Sequence, residues 1–120
     1  MKKITLLFAL LAGFTFTTRA QQKKPVTVKI NTPSAKCEQC KKRIEDFLKY
    51  EEGVTKVVVD YRRGVTTVTY VKDRTNIENI KTAIANVGYD ADDVTANEDS
   101  YKRLPKECKK PEEGGHPKKN

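Results

Sequence analysis

The sequence predicts an α+β domain of ferredoxin-like βαββαβ order, a sandwich in which a four-stranded antiparallel sheet carries two helices on one face. Three observations predict it: short β-branched runs alternating apolar and polar residues, two stretches whose apolar residues recur at helical spacing, and a turn signal at each junction. All three lie within residues 26–96 of a 120-residue chain of net charge +8.

Residues 1–20 stand apart from that fold. Lys2 and Lys3 precede an apolar run over residues 4–16 that is too short to span a bilayer, and Thr18-Arg19-Ala20 has the small-x-small form of a cleavage site. This reads as a secretory signal cut after Ala20. The mature protein is then expected to be exported, periplasmic or secreted, with no stable membrane insertion. Residues 21–25 form a short lead.

The elements follow in order. Val26, Val28 and Ile30 alternate with Thr27, Lys29 and Asn31, which predicts a strand with one buried face. From about Cys40 the apolar positions change spacing, with Ile44, Phe47 and Leu48 on one side of a helix and Lys41, Lys42, Arg43, Glu45, Asp46 and Lys49 on the others. Glu52-Gly53 supplies the stop. Residues 54–61 and 65–71 are β-branched runs separated by Arg62-Arg63-Gly64, a hairpin. Thr75-Asn76-Ile77-Glu78 has the form of a capping box and opens a second helix, whose Ile77, Ile80, Ala83, Ile84 and Val87 share a stripe. Gly88 ends it, and Tyr89, Ala91 and Val94 suggest a last short strand.

Beyond that domain, residues 97–120 form a basic tail containing Pro105, Pro111, Gly114, Gly115 and Pro117 among its lysines. Such a composition is expected to bury no core and to be partly disordered. Tyr101 and Leu104 are the residues able to dock it onto the sheet or the cysteine loop.

Cys37 and Cys40 form a C-x-x-C pair at the joint between the first strand and the first helix. Two thiols three residues apart on a helix's first turn can hold one soft metal ion or close into a disulfide. The helix dipole, unpaired backbone N–H groups and the neighbouring Lys36, Lys41, Lys42 and Arg43 are expected to lower the thiol pKa values. Neighbours three apart on a helix have Cβ atoms ~5–6 Å apart. Two sulfurs on opposite sides of an ion at ~2.3 Å lie ~4.6 Å apart, so a near-linear two-thiolate site is reachable. Thiolate softness favours Cu(I), with Ag(I), Hg(II) or Zn(II) as alternatives.

The third cysteine makes the count odd, so at least one thiol is free, metal-bound or joined to another molecule. Cys108 would convert a two-coordinate site into a trigonal one, or remain a spare oxidisable thiol. His116 could complete a zinc site of three thiolates and one imidazole, but its spacing from Cys108 is not that of zinc fingers, and a lone His in a lysine-rich tail reads as solvated.

Other classes find little support. One His in the tail and no clustered Ser, His and carboxylate leave nucleophilic catalysis without machinery, so no enzyme is expected. A thiol-disulfide oxidoreductase remains the alternative, although Glu38-Gln39 lies between the cysteines and the chain has no Trp. Arg63-Gly64 followed by Val68 and Tyr70 looks like a fragment of an RNA-recognition strand, but Val65 and Thr67 stand where stacking aromatics belong, so no nucleic-acid partner is expected.

The cysteine pair, the Gly53-Val54-Thr55-Lys56-Val57-Val58-Val59-Asp60 segment, the strand over residues 65–70 and Val87-Gly88-Tyr89 together resemble the heavy-metal-associated domain of copper chaperones, metal-transporting ATPases and periplasmic mercury-binding proteins. The resemblance implies Cys37 and Cys40 as metal ligands. It also implies a role in carrying or sequestering Cu(I), or in capturing Hg(II), with a metal-transporting membrane protein or another metallochaperone as partner. Ser34-Ala35-Lys36 stands where that family usually has Gly-Met-Thr, so Ala35 replaces a methionine expected to pack beneath the loop. Tyr89 matches the aromatic that many bacterial copper members place near the site.

Overall fold

The computed structural model describes residues 24–115, so the expected signal over residues 1–20 and His116 lie outside it. Strand β1 (Val26–Asn31) pairs antiparallel with β3 (Val65–Tyr70), which pairs antiparallel with β2 (Val54–Asp60). The sheet order is β1-β3-β2. Because side chains alternate across a strand, Ile30, Val59, Thr66, Val68 and Tyr70 fall on one face and are buried. Onto that face pack helix α1 (Glu38–Leu48), through Cys40, Ile44 and Leu48, and helix α2 (Ile77–Val87), through Ile80, Ala83 and Ile84. Among the described residues no helix is long and apolar enough to cross a membrane.

Polar contacts fix the layers. Strand β2 is an edge, and α1 satisfies it: the Val59 N–H donates to Glu45 at 2.9 Å, while the Lys41 ammonium donates to the Val59 carbonyl at 3.2 Å and to Glu45 at 2.7 Å. Inside the core, the hydroxyls of Thr32 and Thr66 pair at 2.8 Å, so neither is buried unbonded.

The helix ends depart slightly from the sequence reading. Helix α1 opens two residues before Cys40, because Cys37 is extended (φ −140°) and its sulfur accepts the Cys40 N–H. It stops at Leu48, and a turn carries the chain to Gly53, whose φ of 82° suits a residue without Cβ. The capping residue of α2 is Asn76, accepting the Asn79 N–H at 2.8 Å, not Thr75, which is buried.

The expected fourth strand is not formed among the described residues. Asp92, at φ 51°, turns the chain back on itself, and Ala91 and Val94 exchange both backbone hydrogen bonds at 2.9 Å. Those groups are then lost to any ladder along β1. What remains is a clasp in which the Asp92 N–H donates to the Asn31 carbonyl and its carboxylate accepts the Asn31 N–H, both at 2.8 Å.

The tail departs from the expectation that it buries no core: Leu104, one of the residues singled out as able to dock it, joins the core together with Cys108. Helix α3 (Glu98–Lys102) begins where the Asn97 N–H donates to the Ala85 carbonyl at 2.9 Å, and two 3₁₀ turns follow, Lys106–Cys108 and Pro111–Glu113. Gly88 is what admits this packing. At φ 113° it caps α2, and a Cβ there would lie 3.1 Å from the Leu104 side chain.

Candidate metal centre

The loop before Cys37 is anchored on both sides. Thr32 N–H donates to the Gly64 carbonyl of the hairpin turn at 2.8 Å, and Asp90 N–H, from the turn after α2, donates to Ser34 Oγ at 3.1 Å. Between them Ala35 is fully buried and donates to the Thr32 carbonyl at 3.1 Å. This alanine occupies the position expected of a methionine, and it lies in the same core cluster as Cys40, Tyr89 and Cys108.

These anchors set the sulfurs. Cys37 Sγ sits at the N-cap of α1, 2.9 Å from Cys40 Sγ and 3.4 Å from the Cys40 backbone nitrogen that donates to it. Cys37 keeps partial exposure; Cys40 is buried. From the opposite side the first 3₁₀ turn of the tail delivers Cys108, which is 1% exposed. All three are thiols, and their sulfurs lie within 4.8 Å of one another. Three sulfurs around one ion at ~2.3 Å would stand about 4.0 Å apart, and two in line ~4.6 Å, so the Cys37–Cys40 pair, 2.9 Å apart here, would have to open by about 1.1 Å for the first and about 1.7 Å for the second, through side-chain rotation.

The electrostatics reverse the sequence-based expectation. Each thiol pKa is raised, with burial the largest cause in every case. The helix N-terminus acts in the expected direction, since the Cys40 N–H favours the Cys37 thiolate, but desolvation and the adjacent Cys40 sulfur outweigh it. Lys41 gives little help because its ammonium is committed to Glu45 and the Val59 carbonyl. A buried thiolate cluster of this kind therefore needs a cation in place of its protons, and polarisable sulfur selects a soft one.

Tyr89 completes the site from below. Its ring is fully buried, and among the described residues its hydroxyl is a buried oxygen without a hydrogen-bond partner. Burial first, then the nearby Cys40 and Cys108 sulfurs, push its pKa far upward, so it stays protonated and able to donate.

Sequence reasoning singled out Cys37, Cys40, Cys108 and Tyr89, and the structure brings all four together. It missed the fastening of the tail, in which Tyr101 Oη donates to Glu113 at 2.7 Å and accepts the Lys110 N–H at 2.9 Å. No local spacing flags that contact; only the apolar ring of Tyr101 was a signal.

The heavy-metal-associated domain family model matches residues 25–90. Copper chaperone CopZ of Staphylococcus haemolyticus is 34% identical over 61 residues, covering 51% of this chain and 90% of that protein. A copper-exporting P-type ATPase of Staphylococcus epidermidis is 30% identical over 82 residues, covering 68% of this chain, which spans only 10% of the ATPase. The periplasmic component of mercuric transport from Shewanella putrefaciens is 27% identical over 81 residues, covering 68% of this chain and 89% of that one. Among solved structures, a CopZ metallochaperone superposes with a TM-score of 0.53 at 29% identity, covering 55% of this chain and 98% of the other.

Proposed function

The chain belongs to the heavy-metal-associated domain family, and from that premise we propose that it is an exported Cu(I) carrier, not an enzyme, whose Cys37 and Cys40 thiolates grip the ion. The observation that carries the reading is the sulfur pair itself, 2.9 Å apart on the first turn of α1. The relatives support copper, since a copper chaperone and a copper-exporting ATPase are both among them.

The two thiols divide the work. Cys37, partly exposed, meets the incoming ion or the donor's thiolate first. Cys40, buried against Tyr89, closes behind it. Uptake exchanges two thiol protons for one monovalent cation, and handover runs the same exchange toward an acceptor thiolate. The acceptor class is a metal-transporting membrane protein or a second metallochaperone. Hg(II) capture is the second reading, favoured by the similarity to the mercuric transport component.

Anaerobic titration of the reduced protein with Cu(I), Zn(II) and Hg(II) tests the assignment. One equivalent of Cu(I) is expected, abolished or greatly weakened by Cys37→Ser or Cys40→Ser. Equal uptake by both variants and the parent would refute it. A disulfide-reduction assay on the metal-free protein separates carrier from thiol-disulfide oxidoreductase, and efficient turnover would favour the latter.

A further inference from the structure

We propose that Cys108 is the third ligand of the site, so that the C-terminal segment straps a three-sulfur cage shut over the ion. This rests on the soft-cation reading of Cys37 and Cys40 and adds to it the coordination number and the element that governs release.

Three independent features carry it. The first is placement: Cys108 comes from an element more than sixty residues away from the C-x-x-C pair along the chain, yet its sulfur lies within 4.8 Å of both others. The second is the machinery that holds it there. Leu104 packs onto Gly88, Tyr101 staples Lys110 and Glu113, the Cys108 N–H donates to the Pro105 carbonyl at 2.8 Å, and Lys110 approaches Asp90 at 4.0 Å. A short segment fixed at this many points delivers a side chain to one position. The third is the Tyr89 hydroxyl, a buried donor beside the Cys40 and Cys108 sulfurs that makes no well-formed hydrogen bond among the described residues. Metal-bound thiolates are strong acceptors, and a donor of this kind is the outer-sphere group such sites use.

A buried cysteine can also be a small apolar filler. Filler accounts for the burial of Cys108 but not for its sulfur lying within 4.8 Å of both others with a buried hydroxyl beside them. Burial also argues against a spare thiol awaiting a partner's disulfide, since at 1% exposure Cys108 offers no approach to another protein. In the strapped state the ion is reached only on the Cys37 side, and complete release requires the tail to lift.

X-ray absorption at the copper edge of the full chain, loaded with one equivalent of Cu(I) in thiol-free buffer and shown to be monomeric by sedimentation, reads the sulfur count directly. Three sulfurs are expected in the parent and two in Cys108→Ser and Cys108→Ala, with one equivalent still bound. Losing a direct ligand should weaken binding at least as much as losing an outer-sphere partner, about 10- to 100-fold in competition with a Cu(I) chelator. Two sulfurs in the parent, or three retained in either variant, overturns the proposal while leaving the two-cysteine carrier intact. Failure of the parent to bind Cu(I), or unaltered binding by Cys37→Ser, instead overturns the reading beneath it. The parent's own count decides the matter even if a Cys108 variant folds poorly.

Discussion

Leu104→Ala tests whether the tail is a structural part of the domain. Leu104 is 5% exposed and packs against Gly88 at the rim of the core. A buried Leu→Ala change costs ~2–5 kcal/mol, and a rim site can partly collapse, so about 2–3 kcal/mol is expected here. That loss falls first on docking of the segment, because the sheet and its two helices keep their own contacts. If the tail opens locally, the population of the open state rises by the corresponding factor, about 30- to 150-fold at 1.36 kcal/mol per decade. The assay uses a background carrying Cys37→Ser and Cys40→Ser, in which Cys108 is the sole thiol, and follows its native-state reaction with a disulfide reagent. When opening and closing are fast relative to the reaction, the rate tracks the open population. Acceleration within the stated range, or a matching fall in urea stability if the tail unfolds with the core, is the expected outcome. A Cys108 rate unchanged within about twofold, together with an unchanged urea midpoint, would show that Leu104 does not hold the segment.

Two further perturbations address the site. Tyr89→Phe removes a buried unpartnered hydroxyl, whose desolvation costs about 1–3 kcal/mol, so the metal-free protein should be no less stable by thermal unfolding while Cu(I) affinity falls about tenfold; unchanged affinity would separate Tyr89 from the metal. The pH dependence follows from the raised thiol pKa values. Each thiol holds its proton more tightly folded than unfolded, so this stability is fully present below the unfolded value near 9.0 and is lost as pH rises through the higher folded values. The urea midpoint of the metal-free protein should therefore fall as the pH is raised above about 9, and Cu(I) uptake near neutrality should release protons measurable in weakly buffered solution; uptake without proton release would contradict it.

Much of this arrangement was legible because period and punctuation agree. The alternation in Val26–Asn31 turns Ile30 into the core with Val26 and Val28 partly buried against it, and the Ile80, Ala83, Ile84 stripe is buried as predicted. The last strand failed because apolar spacing at Tyr89, Ala91 and Val94 records burial, not pairing. Tyr89 and Ala91 are buried, but Asp92 turns the chain before a ladder can form. The tail misled for the opposite reason. Its composition is that of a solvated segment, yet two apolar side chains, Leu104 and Cys108, suffice when a glycine opposite the first leaves room. That complementarity between Leu104 and Gly88 is a tertiary fact without a local signature.

The pKa reversal shows why the same residues support two opposite local arguments. Dipole and basic neighbours are visible in sequence and favour thiolate; desolvation is visible only once Cys40 and Cys108 are seen to be buried. The larger effect is the hidden one, and it has a chemical consequence. Thiols that resist ionisation are poor nucleophiles when metal-free, which counts against redox exchange at neutral pH. They are not thereby poor ligands, because a soft cation repays deprotonation with metal–sulfur bonds that a hard ion cannot match. Burial thus favours the protonated form of the sulfur cluster and makes soft-metal binding a route by which its protons are displaced.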